Sequence, residues 1–503
     1  MSRAVAGLLL AGVALAAACR AGRGPAPEVR VGSKKFTESV LLGEIVTQVL
    51  RGAGARVEHR AQLGGTQVLW HALLAGEIDL YPEYTGTIRE DILRDTAPGA
   101  DDAALRRDLA ARGVGMSGVL GFDDSYALGM KEDEAARRGV TRLSDLRGLP
   151  GLRLAFSEEF LHRRDGWPAI KERYGLPQAD VRSLDHDLAY RALRAGDVDA
   201  IDLYTTDAEI PAYDLKVLED DLEVFPRYRA VLLYRLDLPE RSASALASLA
   251  VLEGRIAAAD MRRLNARVKL DHVPEPEVAA GFLAAALGME GATRSEGRAR
   301  RVGRRVAEHL ALVAASLAAA ILVAVPLGVA AARRRKAGAA VLAAAGVLQT
   351  IPSLALLVLL IPLCGIGALP AVVALFLYSV LPVVRNTATG LNEIPASLLE
   401  SADVLGLSPW ARLLQIELPL ASPSIVAGVQ TAAVINVGTA TLGALIGAGG
   451  LGQPILTGIR LDDLSLILEG AIPAALLALL AQGLFAAVGR LVVPRGLRLR
   501  PDA

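Results

Sequence analysis

Tyrosine carries the first chemical signal in this sequence. Aromatic residues make up only 4% of the 503-residue chain, yet nine of its ten tyrosines precede residue 306. Tyr84, Tyr126, Tyr204 and Tyr228 each fall in a turn or at a predicted crossing between half-domains, not inside a core strand. The face of an aromatic ring attracts a cation through its quadrupole, and several such faces together recognise a quaternary ammonium group. Taken singly, each tyrosine fits ordinary amphipathic packing as well. Four in matching loop positions point to a cage for a cation.

Residue patterns for other chemistries are missing. The chain has no GxxxxGK[ST] phosphate loop, so it is not expected to hydrolyse ATP itself. HExxH, CxxC and GxSxG are absent, and the six histidines (His59, His71, His162, His186, His272 and His309) lack metal-ligand spacing. Asp123-Asp124 and Asp220-Asp221 read as solvated turn residues. Two cysteines, Cys19 and Cys364, cannot form a disulfide framework, and Cys364 reads as a small core residue in an apolar run. The expectation is a chain with no catalytic residues, no metal site and no cofactor of its own.

The elements that must position the tyrosines alternate along the first part of the chain. Between Pro27 and Gly291, short β-rich runs alternate with amphipathic helices, as in α/β architecture. Val29–Gly32 reads as a strand, Glu38–Arg51 as a helix and Ala55–His59 as a strand. The run His71-Ala72-Leu73-Leu74-Ala75-Gly76-Glu77-Ile78-Asp79-Leu80 has an echo in Arg191-Ala192-Leu193-Arg194-Ala195-Gly196-Asp197-Val198-Asp199-Ala200. In both copies a helix ends at a capping glycine and runs into a strand. Two such halves predict two lobes around a cleft that closes on a ligand by hinge motion. The chain is expected to cross between lobes near Tyr126–Met130 and return near Tyr228–Tyr234.

Composition then divides the chain. With 54 basic and 54 acidic residues the net charge is zero, which argues against a dedicated nucleic-acid binder. Hydrophobic residues reach 52%, mean hydropathy is +0.38, and only nine of the 54 acidic residues lie beyond residue 306. The oily part offers five apolar runs, at Ala311–Ala332, Ala339–Leu363, Ala368–Val384, Ile425–Ile446 and Ile472–Val493. If the first starts outside, Arg333-Arg334-Arg335-Lys336, Arg385 and Arg495, Arg498 and Arg500 all fall on the cytoplasmic side, as the positive-inside bias requires. Gly447–Gly452 and Asp462-Asp463 then fall outside. Arg294, Arg298, Arg300, Arg301, Arg304 and Arg305 run against that bias, unless a folded exported domain commits the orientation first. Arg3 and the apolar stretch to Ala18 have the shape of an export signal. Ala16-Ala17-Ala18-Cys19 resembles a lipobox with Ala16 in place of the preferred Leu; lipidation at Cys19, plain cleavage and a retained anchor stay open. The expected division is a signal over 1–19, an exported binding domain over 20–291, an Arg-rich linker over 292–310 and a membrane domain over 311–503.

Several longer motifs carry a resemblance. Val31-Gly32-Ser33-Lys34-Lys35-Phe36-Thr37-Glu38, Tyr81-Pro82-Glu83-Tyr84-Thr85-Gly86-Thr87, Gly121-Phe122-Asp123-Asp124-Ser125-Tyr126 and Glu159-Phe160-Leu161-His162-Arg163-Arg164-Asp165-Gly166 resemble the binding proteins of osmoprotectant importers. Tyr204-Thr205-Thr206-Asp207 and Phe225-Pro226-Arg227-Tyr228 are similar too. Those proteins bind glycine betaine, choline, carnitine or related compounds. The resemblance implies a two-lobed α/β periplasmic-binding-protein fold of type II. It also implies that Tyr84, Tyr126, Tyr204 and Tyr228 box an ammonium while Lys34, Thr87 and Arg163 hold an acid end. Asp123-Asp124 stands where the family usually shows Asn-Asn, and an extra carboxylate there bears on ligand preference.

The second half resembles the permease subunit of the same importers. Glu400-Ser401-Ala402-Asp403-Val404-Leu405-Gly406, followed by Ile416-Glu417-Leu418-Pro419, is similar to their EAA loop, with Ser401 replacing the first Ala. That resemblance makes Glu400, Ala402, Gly406, Ile416, Leu418 and Pro419 a cytoplasmic docking element, within 393–419, for an ABC ATPase subunit. Asn436 is polar within an apolar run; helix–helix hydrogen bonding is its plainer account, a functional role the other. The combined expectation is a binding domain fused ahead of an all-α permease domain of about five transmembrane helices, in a bacterial inner membrane. Its implied partners are a quaternary-ammonium or betaine-like solute, a separate ATPase and a second copy of the chain. An ergothioneine importer of the same design, and a membrane receptor for a betaine-like ligand, are the rival readings.

Overall fold

The computed structural model describes residues 29–93, 101–289 and 297–494. The expected export signal with Cys19, Arg294 and the basic residues Arg495, Arg498 and Arg500 lie outside these. The chain divides into two compact units, one formed by Pro27–Ser295 with Thr457–Leu464 and the other by Glu296–Leu456 with Ser465–Ala503.

The first unit contains two five-stranded sheets. Its strands are Val29–Gly32 (β1), Val57–Arg60 (β2), Leu80–Tyr84 (β3), Val114–Met116 (β4), Tyr126–Lys131 (β5), Leu154–Phe156 (β6), Val181–Ser183 (β7), Ala200–Tyr204 (β8), Leu215–Val217 (β9) and Ala230–Arg235 (β10). The sheets run β2-β1-β3-β10-β4 and β7-β6-β8-β5-β9. β1 pairs parallel with β2 and β3, and β6 pairs parallel with β7 and β8, while β10 and β5 enter antiparallel. The second sheet is built from the consecutive strands β5 to β9, whereas the first takes β10 from beyond them.

The internal echo extends to side-chain bonding. Asp79 accepts from the backbone N and Nε of Arg30 at 2.7 and 3.0 Å, and Asp199 accepts from the same atoms of Arg153 at 2.8 and 3.1 Å. The helices Thr66–Leu74 and His186–Ala195 precede these loops, which turn at Gly76 (φ +71°) and Gly196 (φ +81°), where a β-carbon would be strained.

The expected crossings shift by a few residues. β5 and β10 lie inside their sheets, so the chain passes between lobes at 117–125 and 218–229, which are bridged at Asp123 and Arg229. Tyr84, Tyr126 and Tyr204 consequently sit at the ends of β3, β5 and β8 rather than in turns. Tyrosine suits a strand, and a ring on the terminal residue can face the cleft.

The second unit is helical: Arg298–Arg333 (α1), Ala368–Asn392 (α2), Leu418–Thr439 (α3) and Leu464–Val492 (α4) are its longest helices. Among the described residues, four helical segments are long and apolar enough to cross a membrane, or up to five if one bent pair counts as a span. Small residues let the backbones approach. A Cβ on Gly328 of α1 would meet Thr387 of α2, and one on Gly428 of α3 would meet Asn386 and the Pro382 carbonyl of α2. Asn436 of α3 donates to Ser316 Oγ of α1 at 3.0 Å, the helix–helix bond expected of a polar residue there. Cys364 is only half-buried, at the edge of an apolar cluster.

Three features differ from the sequence expectation. Ala339–Leu363 is not one straight span: the helices 338–350 and 353–364 meet at 99°. Pro352 disfavours helical backbone at Ile351, whose ψ is 125°. Ala368–Val384 extends to Asn392, long enough to span without strain. The stretch expected as a linker is helical from Arg298 onward. Arg301 binds both carboxylate oxygens of Glu469 at 2.9 and 3.0 Å, and Arg304 and Arg305 pair with Glu308. Two carboxylates, Glu469 and Glu308, thus pair with Arg298, Arg301, Arg304 and Arg305 of this cluster.

Candidate functional site

The ends of β3, β5 and β8, with the segment leading into β10, converge on one cavity. Its walls include all seven residues singled out from the sequence: Lys34, Tyr84, Thr87, Tyr126, Arg163, Tyr204 and Tyr228. Phe36, Asp124 and Glu159 complete the lining.

Strand pairing places the rings. Tyr126 and Tyr204 are opposite each other across β5 and β8, with ring centroids 5.0 Å apart. Tyr228 meets Tyr126 edge-on at 5.4 Å and 79°. Phe36 bridges to the first lobe, 5.3 Å from Tyr204 and 6.3 Å from Tyr84. Gly86 makes room for this arrangement, because a Cβ there would lie 2.5 Å from the Tyr228 ring.

The polar groups arrive in pairs. Lys34 Nζ donates to Glu83 Oε1 at 2.6 Å, and the backbone N of Tyr84 donates to the same oxygen at 3.0 Å. Arg163 makes two bonds to Asp165, at 2.9 and 2.6 Å, and its guanidinium lies 5.3 Å from the Tyr126 ring centre and 5.9 Å from that of Tyr228. The Tyr228 hydroxyl donates to Asp165. Tyr84 donates its hydroxyl to Glu38 Oε1 at 2.6 Å.

Asp124 corrects the expectation of a solvated turn, since it is only 4% exposed. It accepts from the backbone N of Thr206 at 3.1 Å, and its Oδ1 lies 2.7 Å from the Thr206 hydroxyl. That same hydroxyl lies 2.5 Å from Glu38 Oε2. One hydroxyl carries one hydrogen, so the second of these contacts requires a protonated carboxyl as donor. Burial accounts for that proton: it raises the pKa of Glu38, and burial plus the charge of Glu38 holds Asp124 well above the ordinary aspartate value.

Sequence reasoning assigned no site role to Phe36 or Glu159. Both lie inside the motifs that carry the resemblance, next to residues that were singled out. Among the described residues, no group of three or more His, Cys, Asp or Glu side chains could hold a metal ion.

The proposed ATPase-facing loop has a defined structure. The helices Ala396–Val404 and Pro409–Arg412 flank Gly406, whose φ is +74°. Arg412 ties the two sides together through Asp403 at 2.6 Å and Glu417 at 2.8 Å. Ala402 is buried, whereas Val404, Leu405 and Trp410 are exposed.

A two-lobed fold around an aromatic cleft, followed in the same chain by a membrane-type helical bundle, defines a transporter subunit that carries its own binding domain. Residues 27–285 match the family described as the substrate-binding domain of the ABC-type glycine betaine transport system, and residues 324–496 match the binding-protein-dependent transport system inner membrane component. The chain belongs to the osmoprotectant ABC importers, as an OpuAC-type binding domain fused ahead of a permease domain, and is a multi-pass inner-membrane protein. It is 43% identical over 194 residues to the glycine betaine/carnitine/choline transport system permease protein OpuCB of Bacillus subtilis, covering 39% of this chain and 89% of that one. It is 44% identical over 196 residues to the osmoprotectant import permease protein OsmW of Salmonella typhimurium, covering 38% of this chain and 91% of the relative. A solved glycine betaine/carnitine/choline ABC transporter structure aligns at 26% identity and TM-score 0.45, covering 51% of this chain and 98% of that one.

Proposed function

We propose that this chain captures a quaternary-ammonium compatible solute, such as glycine betaine, choline or carnitine, and also supplies its membrane pathway. The ammonium sits among Tyr84, Tyr126, Tyr204 and Tyr228, and the polar end of the solute meets Lys34, Thr87 and Arg163. A separate cytoplasmic ATPase docks on the loop 393–419 and drives transport, while this chain takes no cofactor of its own. Two copies of the chain form the permease, because each copy carries one such loop.

The observation that carries this reading is the convergence of four tyrosines from both lobes on one small cavity. Such rings stabilise a desolvated cation that cannot donate hydrogen bonds. The exposed Val404, Leu405 and Trp410 beside Gly406 support the docking role of the loop.

A calorimetric titration of the full-length protein in detergent with glycine betaine, choline, carnitine and ergothioneine tests the solute class. Saturable binding of at least one of the first three is expected. Binding of ergothioneine alone would overturn the osmoprotectant assignment, and a folded protein that binds none would overturn the cage.

A further inference from the structure

We propose that the cavity selects a solute of net positive charge, an ammonium cation with an uncharged polar tail, over a zwitterion with the same head group. Glu159 sets that choice. This rests on the reading of the cavity as an ammonium site.

The argument begins with where a ligand carboxylate could go. The cavity offers two cations that attract an anion, Lys34 and Arg163. Each already holds a carboxylate of the protein. Lys34 is bonded to Glu83 with side-chain exposures of 5% and 0%. Arg163 is bonded twice to Asp165, also shielded from water. The Glu159 carboxylate, a further acidic wall, stands where a Cβ on Gly65 would be. A ligand carboxylate would be the second anion at either of the two cations, and displacing the first would leave a buried charge without its partner.

The remaining charges point the same way. Glu38, Glu83, Asp124, Glu159 and Asp165 stand in or directly behind the walls, against Lys34 and Arg163. One shared proton between Glu38 and Asp124 still leaves an excess of negative charge. The charged residues next outward are themselves paired across the cleft: Lys35 with Asp185 at 3.0 Å and Arg164 with Glu90 at 3.0 Å. A cation supplies the missing positive charge, whereas a zwitterion brings its own carboxylate into the deficit. Thr87 offers a hydroxyl to an uncharged tail.

Choline and glycine betaine share a trimethylammonium head and differ in the charge of the tail. In titrations of the full-length protein, choline is expected to bind at least about tenfold more tightly. Glu159→Gln should shrink that ratio, mainly by weakening choline. Thermal unfolding confirms that the variant folds. Equal or tighter binding of glycine betaine, or an unchanged ratio in a folded variant, would overturn the charge selection and leave the cage standing. Failure of both ligands to bind would overturn the ammonium site itself, and the selection with it.

Discussion

Tyr126 and Tyr204 are directly paired across an antiparallel ladder, and their ring centres lie 5.0 Å apart at the mouth of the second lobe. Tyr126 opens β5 and Tyr204 closes β8, so the two rings stand at one edge of the sheet with Phe36 from the first lobe 5.3 Å from Tyr204. Their position is set by backbone pairing, which makes the wall rigid before any ligand arrives.

Removing one ring from that wall should cost affinity without disturbing the sheet. Tyr204→Ala is expected to weaken quaternary-ammonium binding by about 1–2 kcal/mol, the scale of a desolvated cation–π contact. Calorimetry on the folded variant checks this. Unchanged affinity would take Tyr204 out of the site.

Gly86 gives a test of the cavity's shape. A methyl group there meets the Tyr228 ring at 2.5 Å, and Tyr228 is fully buried. Gly86→Ala should destabilise the binding domain by about 1–3 kcal/mol, as overpacking does, and weaken ligand binding as Tyr228 is displaced. Thermal unfolding and titration on the same sample report both effects; a variant with wild-type stability and affinity would refute the contact.

The Asp124 carboxyl predicts a pH dependence of stability. Burial first, and the charge of Glu38 second, hold it well above its ordinary value of 3.8. The native state therefore binds more protons than the unfolded state, and this contribution is present below that value and lost as pH rises through the folded one. The stability of the wild type relative to Asp124→Asn should fall as pH is raised from about 4 to neutrality. Unfolding midpoints across that range provide the measurement, and a constant difference would show that Asp124 does not titrate as described.

The coupling loop should separate capture from transport. Gly406 adopts φ +74°, which strains any residue with a β-carbon, and Glu400 is exposed on the preceding helix. Gly406→Asp and Glu400→Ala are expected to abolish solute uptake by cells while leaving binding to the purified protein unchanged. Loss of binding instead would mean that the two halves of the chain do not divide the work in this way.

The parts of this structure that were legible in the sequence are those set locally. β1, the helix Thr37–Gly52 and β2 follow from apolar periodicity, and the two echoing loops follow from Gly76 and Gly196. The tyrosines stood out because they recur beside those loops. The return to the first lobe near β10 was expected, but the antiparallel place of β10 between β3 and β4 was hidden, since strand pairing across more than a hundred residues leaves no periodic trace. Asp124 was misread because an acidic pair looks solvated until tertiary contacts bury it. Glu83 and Asp165 sat in view within the motifs, but only their proximity in space shows that they neutralise Lys34 and Arg163. In the membrane half, hydropathy ran straight across Ile351-Pro352, where backbone sterics break the helix.

The central claim is that four tyrosines enclose the head of the solute. A cryo-electron microscopy structure of the full chain with bound choline tests it directly. The account predicts the quaternary nitrogen within about 6 Å of the ring centres of Tyr84, Tyr126, Tyr204 and Tyr228. A nitrogen bound away from those rings, with the cavity between the lobes left empty, would contradict it.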